Sequence, residues 1–550
     1  MNSPNPALVS QREAEPLPRP ALFLLAAAYV LPGLLDRDPW KSADITSFGY
    51  IVNIAQGKTG WLAPTVGGLP ADGSILPYWI GAAFVRLLAP MVDPIVAARI
   101  PFALLLALAL ALTWYAAYHL ARSESAQPLP FAFGGEAAPV DYARAIADGA
   151  LLALIASLGL LQLGHEGTPE LAQLVGIALY LYGVAAGAAR PNQGGAFAAL
   201  AIVVLAASGA PSVAMLLAAA GMATALRSPA PTRVRSIVWI LVGALLGAAA
   251  ATGLGAWANR LGTYDSRAQV LALARQIGWF AWPAWLLALW TLWQWRRRLV
   301  SWHIVVPLAV TATLLGVWLA MAGSDRALML ALPALAVLAA FALPTLQRSA
   351  AAAIDWFSVC LFTIAVATGW VFYVAIQTGV PASLASNVAK LSPGYLNRFS
   401  WPELVLALAA TVAWLWLVRW RTGRHRHPLW KSLVLPAGGV SVCWLLVMTL
   451  LLPPLDNARS YRGMMQRIAR QVPAGSCVAA PGMSRAEVVA LEYLGGYRVD
   501  AIGDAADAHC DFLLLTRGQK PPAAAWQFVS REQRIRSDDD VTDIYRRAPG

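Results

Sequence analysis

Five charged residues crowd into LLDRDPWKSADITSFGYIVNIA, residues 34–55: Asp36, Arg37, Asp38, Lys41 and Asp44. They come directly after the first apolar run of the chain. A carboxylate at the edge of a bilayer can meet a lipid-borne substrate whose reactive head lies at the interface while its tail stays in hydrocarbon. Asp44, followed by the helix-compatible run ITSFGYIVNIAQ, is placed for that work. A carboxylate there can take a proton from an acceptor hydroxyl or amine, and partial burial can tune its pKa. The plainer alternative stays open. Asp36, Asp38 and Asp44 can be solvated loop charges, with Asp44 capping the helix that follows.

A second acidic cluster, LQLGHEGTPELAQ at 161–173, holds His165, Glu166 and Glu170. Acids on two short loops at one membrane face can position an acceptor, or a divalent metal, between them. Equally, Pro169 and Glu170 can simply open a helix, where proline and an acid are both favoured, and His165 can be a lone interfacial histidine. No HExxH or CxxC pattern is present, so support for a tight metal site is weak; no cofactor is certain, and a divalent metal stays open. A phosphate-bearing substrate needs cations, for which arginine forks are suited. Candidates are Lys41, Lys58, Arg86, Arg99, Arg260, Arg267, Arg275, Arg326, Lys390 and Arg398. Most of these are expected to be interface anchors. Trp40, Tyr50, Trp61, Tyr78 and Trp79 can bind sugar faces or sit in the interfacial aromatic belt.

The elements that must hold these groups are transmembrane. The chain has 550 residues, of which 58% are hydrophobic and only 13% charged, the profile of a polytopic membrane protein. Its net charge of +12 sits in short clusters between apolar runs, so it reads as topology, with no nucleic-acid footprint. Thirteen spans are expected: 20–35, 97–120, 145–163, 169–188, 195–209, 211–226, 236–257, 277–294, 302–322, 327–344, 355–377, 402–419 and 431–453. Basic segments follow the even-numbered spans: YHLAR to Arg122, Arg190, RSPAPTRVR, the arginines at 296–298, Arg348 and RWRTGRHRH. Positive-inside bias then gives a cytoplasmic N-terminus and an external C-terminal tail. Ile75–Pro90 is apolar but short, with Arg86 inside it, and reads as a helix lying on the external surface.

The expected division is a cytoplasmic tail at 1–19, a membrane domain at 20–453 with a large external loop at 36–96, and an α/β domain at 454–550. In that last domain we expect helices at 457–472 and 484–494 and strands near 476–480 and 510–515. The N-terminal apolar run lacks a small-residue cleavage site and reads as an uncleaved anchor. Cys360 and Cys443 fall in apolar runs and read as buried packing residues, whereas Cys477 and Cys510 can pair if the tail lies in an oxidising compartment.

DPWKSADITSFGY resembles the first-loop motif of bacterial membrane glycosyltransferases related to the aminoarabinose transferases of lipid A and to protein O-mannosyltransferases. Asp44 and Phe48 match the motif's Asp and its aromatic four residues on, while Ile45 stands in place of the usual Glu. HEGTPELAQL is similar to the family's second acidic loop, with Glu170 at its acidic position. LDNARSYR at 455–462 is similar to the approach to the external domain. One departure stands out. Where the family carries a Glu-Lys-Pro-Pro type sequence whose Lys contacts the donor phosphate, this chain reads Gly73–Leu76 after Asp72.

The resemblance implies a C-type glycosyltransferase fold. It also implies inverting transfer of a sugar from a polyprenyl-phosphate carrier to a lipid, glycan or protein acceptor at the periplasmic face of a bacterial inner membrane. Asp44 would be the base and Glu170 its catalytic partner. Lys41, Phe48, Lys58, Asp72, Tyr78, Arg86, His165, Glu166, Arg260 and Arg267 would bind substrate. The rivals are a lipid-linked-sugar flippase or transporter and an envelope scaffold. Ion-coupled transporters bury ionisable residues in their spans, and the spans here hold almost none, with Asp355 and His303 at ends.

Overall fold

The computed structural model describes residues 6–40, 42–227, 230–257, 261–263, 267–395, 397–422, 428–503, 509–519, 521, 526–534 and 541–548. In chain order the helices begin with α1 (Arg19–Val30), α2 (Ala43–Ala55), α3 (Ile75–Leu88), α4 (Pro94–Ala121), α5 (Pro139–Ala156), α6 (Leu158–Leu163) and α7 (Pro169–Gly187). Next come α8 (Pro191–Ala207), α9 (Pro211–Ala225), α10 (Ala230–Gly253), α11 (Arg267–Phe280), α12 (Ala284–Gln294), α13 (Trp302–Ala320) and α14 (Asp325–Ala340). The last are α15 (Arg348–Thr378), α16 (Ala382–Leu391), α17 (Trp401–Thr422), α18 (Lys431–Leu450), α19 (Leu452–Arg459), α20 (Arg462–Ile468) and α21 (Arg485–Val489).

Helix occupies each of the thirteen apolar runs, and eight helices among the described residues are long and apolar enough to cross a membrane. Two of the expected spans are interrupted. The run at 145–163 breaks at Ser157, whose extended backbone leaves its hydroxyl donating to the Ala153 carbonyl. The run at 277–294 breaks before α12 at Pro283, which has no N–H to continue a helix. With 14 residues, α3 is only about 21 Å long, short of the roughly 30 Å hydrocarbon core.

The chain packs into two compact units, each described here by itself. The first comprises Met1–Pro32, Phe102–Thr368 and Val405–Val447. Its centre is α14, whose ALMLALPALAVLAA run is buried on every face, as a helix apolar all round must be. The periphery is the opposite: only 22% of the most apolar stretch of α15 and 17% of that of α17 is buried. Large apolar side chains such as Trp356, Val412 and Trp416 stay exposed, an arrangement stable in lipid and not in water. Cys360 therefore lies exposed on α15 and Cys443 is half-buried, which corrects their reading as buried packing residues. Asp355 of α15 is ion-paired with Arg421 of α17.

Two features of this unit were missed in the sequence. Asp148, inside α5, is buried and accepts from the Leu17 N–H and the Trp114 indole N–H, each at 2.8 Å. It is a span carboxylate that staples the N-terminal segment. That segment is itself ordered: Ala7, Val9 and Ala14 are fully buried, Ser10 bridges to Glu136, and the Trp430 indole donates to the Glu15 carbonyl.

The second unit comprises Gly33–Pro101, Gly369–Leu404 and Met448–Gly550. Packing thus groups the loop at 36–96 with the C-terminal residues, although more than 350 positions of chain lie between them. Here α2 packs on α3 where a Cβ on Gly81 would sit 2.6 Å from Ile51, and on α21 where a Cβ on Gly49 would sit 2.2 Å from Val489. Between α2 and α3 runs a short hairpin, β1 (Thr65–Val66) with β2 (Leu69–Pro70), whose Gly67 and Gly68 supply the positive φ that its turn requires.

The C-terminal sheet contains β3 (Cys477–Ala479), β4 (Arg498–Asp500), β5 (Phe512–Thr516), β6 (Trp526–Gln533) and β7 (Val541–Arg547), in the order β4-β3-β5-β7-β6. β3 pairs in parallel with β4 and β5, while β7 runs antiparallel to β5 and β6. The expected helix at 457–472 divides at Ser460 into α19 and α20. The one at 484–494 begins with a reciprocal Ser484–Glu487 capping box.

Cys477 and Cys510 form a disulfide closing 33 residues. Replacing both by Ser is expected to lower the stability of this domain by about 4 kcal/mol on a loop-entropy estimate. The check is a shift of its melting transition, reproduced in wild type by a reductant.

Candidate active site

The first turn of α2 carries Asp44, with Ser42 rather than Asp44 at the N-cap position. The expectation that Asp44 caps the helix is corrected. Its Oδ2 accepts the Trp40 N–H at 3.1 Å, from the loop upstream. Two guanidinium groups approach the same oxygen, Arg37 at 3.5 Å and Arg99 at 3.9 Å. Asp44 is 4% exposed, so neither it nor its partners are solvated loop charges. Only Asp36, of the three aspartates read that way, is exposed.

The loop leading to Asp44 is fixed by groups from both directions in the chain. Arg99, near the start of α4, donates to the Arg37 carbonyl and, at 2.7 Å, to the Asp38 carbonyl. The Asp38 carboxylate is forked by Arg462, at 2.8 Å from Nε and 2.5 Å from Nη2, and accepts the Ser460 hydroxyl at 2.6 Å. Burial alone would raise its pKa. The Arg462 and Ser460 hydrogen bonds and the charges of Arg462 and Arg99 outweigh that and hold it below the usual carboxylate range. Asp456 accepts from the Asp38 N–H and the Trp40 indole N–H. The Trp40 ring has the Arg37 and Arg459 guanidiniums 4.7 and 4.8 Å from its centroid. This network therefore opposes four guanidinium groups (Arg37, Arg99, Arg459, Arg462) to three carboxylates (Asp38, Asp44, Asp456).

The other expected residues fall into three groups. Within the same unit, Phe48 meets Tyr493 edge-on at 4.7 Å and Tyr78 lies 5.2 Å from Tyr50. Arg86 donates to the Ala55 carbonyl and sits over Trp61, Lys58 is exposed, and Asp72 pairs with Arg485 at 2.9 Å. In the first unit, Arg326 gathers the second acidic loop. It reaches Glu166 at 2.5 Å, Glu170 at 3.3 Å and the Thr168 hydroxyl at 3.1 Å. His165 lies between two carbonyls, Leu161 at 2.6 Å and Tyr29 at 2.7 Å, with the Trp444 ring 4.6 Å away. Lys41 and Arg260 lie outside the described residues. So does the side chain of Arg267, whose backbone opens α11.

The departures from the family motif have local explanations. Ile45 is 1% exposed, so the position after Asp44 faces the core of its unit, where a Glu would be costly. Gly73 turns the chain at positive φ and Ser74 and Ile75 are buried, so this stretch offers no cation.

Two solved structures of ArnT from Cupriavidus metallidurans match the chain. The one bound to undecaprenyl phosphate aligns with a TM-score of 0.62 at 14% identity, over 96% of this chain and 99% of that one. The apo form gives 0.63 at 13% identity over the same shares. This chain has the ArnT fold. The C-type glycosyltransferase fold expected from the first-loop motif is thereby borne out, including the C-terminal sheet domain. No family model matches the sequence, and no curated protein does. At this identity what carries across is the architecture, and every residue role in the ArnT-like scaffold rests on the geometry above.

Proposed function

We propose that the protein is a polyprenyl-phosphate-dependent membrane glycosyltransferase in which Asp44 is the general base. The observation that carries this reading is the placement of a buried carboxylate, held by Arg37, Arg99 and the Trp40 N–H, inside a fold shared with a protein solved with undecaprenyl phosphate. In the proposed step Asp44 accepts the proton of an acceptor hydroxyl or amine. The acceptor atom bonds to the anomeric carbon as the bond to the carrier's phosphate oxygen breaks, with inversion. Polyprenyl phosphate leaves, and nearby guanidinium groups stabilise its charge. On this reading Arg37 and Arg99, beside Asp44, supply such groups in place of the family's lysine.

The proposal assigns no proton transfer to Glu170, because Arg326 engages its carboxylate. We place the C-terminal domain in the periplasm. Its disulfide is of the kind that persists in an oxidising compartment, and this agrees with the positive-inside reading. Among the described residues, Asp148 accepts from Leu17 and Trp114 and Asp355 is ion-paired with Arg421, which weighs against an ion-coupled transporter. The test is mass spectrometry of envelope glycolipids and glycoproteins from cells with and without the gene. A species lighter by one sugar in the deletion is expected and names donor sugar and acceptor together. An unchanged envelope would remove the transferase reading.

A further inference from the structure

Trp40 lies beside Asp44 and donates to its carboxylate through the backbone N–H. Trp40 is 2% exposed, and each of its polar groups is committed. Its carbonyl accepts the Ile45 N–H at 3.1 Å, so two successive peptides of the loop are tied to the first turn of α2. Its indole N–H donates to Asp456 Oδ1 at 2.8 Å, and the same oxygen takes the Asp38 N–H at 2.9 Å. One oxygen atom thus anchors both ends of the Asp38–Pro39–Trp40 tripeptide, and Pro39 restricts the backbone between them. Three residues further along α19, Arg459 covers the Trp40 ring.

We infer that Asp456 is a positioning residue for the sugar-transfer reaction, orienting the Asp44 carboxylate through Trp40. This rests on the reading of Asp44 as the base. The helix that opens the C-terminal segment is, on this inference, part of the catalytic apparatus. What Asp456 supplies to the loop is an acceptor atom at a fixed place, Oδ1. Burial and the neighbouring Asp38 charge push its carboxyl pKa up, against the Trp40 and Asp38 N–H bonds and the Arg99 charge. An amide of the same shape offers the same Oδ1 acceptor to both hydrogens.

The experiment compares Asp456→Ala, Asp456→Asn and Trp40→Phe in membranes of the deletion strain, with rates of sugar transfer normalised to folded protein. Misplacing a catalytic group by about 1 Å can cost on the order of a hundredfold in rate. Asp456→Ala should accordingly lower kcat by roughly tenfold to a hundredfold, with KM and binding of undecaprenyl phosphate within about twofold of wild type. Asp456→Asn should restore the rate. Trp40→Phe, which keeps an aromatic ring and loses the indole N–H, should match Asp456→Ala, and the double variant should be no worse than either.

Full activity of folded Asp456→Ala, equal damage by the Asn variant, or multiplicative losses in the double variant would each overturn the inference. A lower melting temperature with kcat intact would do so as well, since it marks a purely structural role. The base reading fails separately. It falls if Asp44→Asn turns over normally, whereas an inactive Asp44→Asn beside an active Asp456→Ala removes only the present inference.

Discussion

Asp44→Asn is expected to abolish sugar transfer, lowering kcat by about two to four orders of magnitude, the usual contribution of a positioned general base. The substitution is nearly isosteric. Its amide oxygen can still accept the Trp40 N–H that now reaches Asp44 Oδ2, so this hydrogen bond at the start of α2 is kept, although the charge facing Arg37 and Arg99 is lost. What is lost is the capacity to take a proton at the acceptor. Undecaprenyl phosphate should still bind, measured by titration into the purified variant. Asp44→Glu gives the second half of the test: it keeps the charge near Arg37 and Arg99 while moving the carboxylate by a methylene. It should fold and retain little activity, because position as well as basicity is required. Wild-type turnover in the Asn variant would return Asp44 to the role of a buried structural acid.

The helical framework was readable because membrane spans advertise themselves locally. An apolar run about 20 residues long needs no knowledge of its neighbours to be recognised. The interruptions at Ser157 and Pro283 were harder, since each sits inside a run whose hydropathy stays high on both sides. In the C-terminal domain β3 and β5 could be found because they are short and largely buried. β6 was missed because WQFVSREQ has no buried residue and no apolar alternation, Phe528 and Val529 both being exposed, and β7 because VTDIYRR places Asp543 among its buried residues. Asp543 is tolerated there because Arg531 of β6 forks it, a pairing that single-strand patterning does not show.

The site was legible as a point and not as a network. The motif around Asp44 singled out the carboxylate, but its setting is made by residues hundreds of positions away. Asp456 meets Asp38 and Trp40 across separations of 418 and 416 residues. Arg462 likewise reads in sequence as one more cation near a domain boundary. The only cue to these groups was the stretch LDNARSYR, which contains Asp456, Arg459, Ser460 and Arg462 together. Such contacts are set by packing, which periodicity and composition do not encode. For the same reason the sequence does not show that Glu166 and Glu170 share Arg326, some 160 residues later in the chain.

Arg99→Leu is expected to cost about 3–5 kcal/mol of folding stability, the range for removing one partner of a buried ion pair. Arg99 is 7% exposed, and its guanidinium does three things at once. It approaches Asp44, and it donates to the carbonyls of Arg37 and Asp38. Leucine would fill part of the space, but it would leave Asp44 facing a reduced positive field and two carbonyls short of a donor. Lysine should recover only part of the loss, because a single ammonium cannot reproduce a planar fork across separate acceptors. Thermal melting of the detergent-solubilised variants measures the effect. A double-mutant cycle with Asp44→Asn then assigns it: the cost of Arg99→Leu should shrink once the carboxylate is neutral, by the part owed to the ion pair. If the cost were unchanged in the Asn background, Arg99 would act on the loop carbonyls alone. The electrostatic setting of Asp44 would then have to be assigned to Arg37.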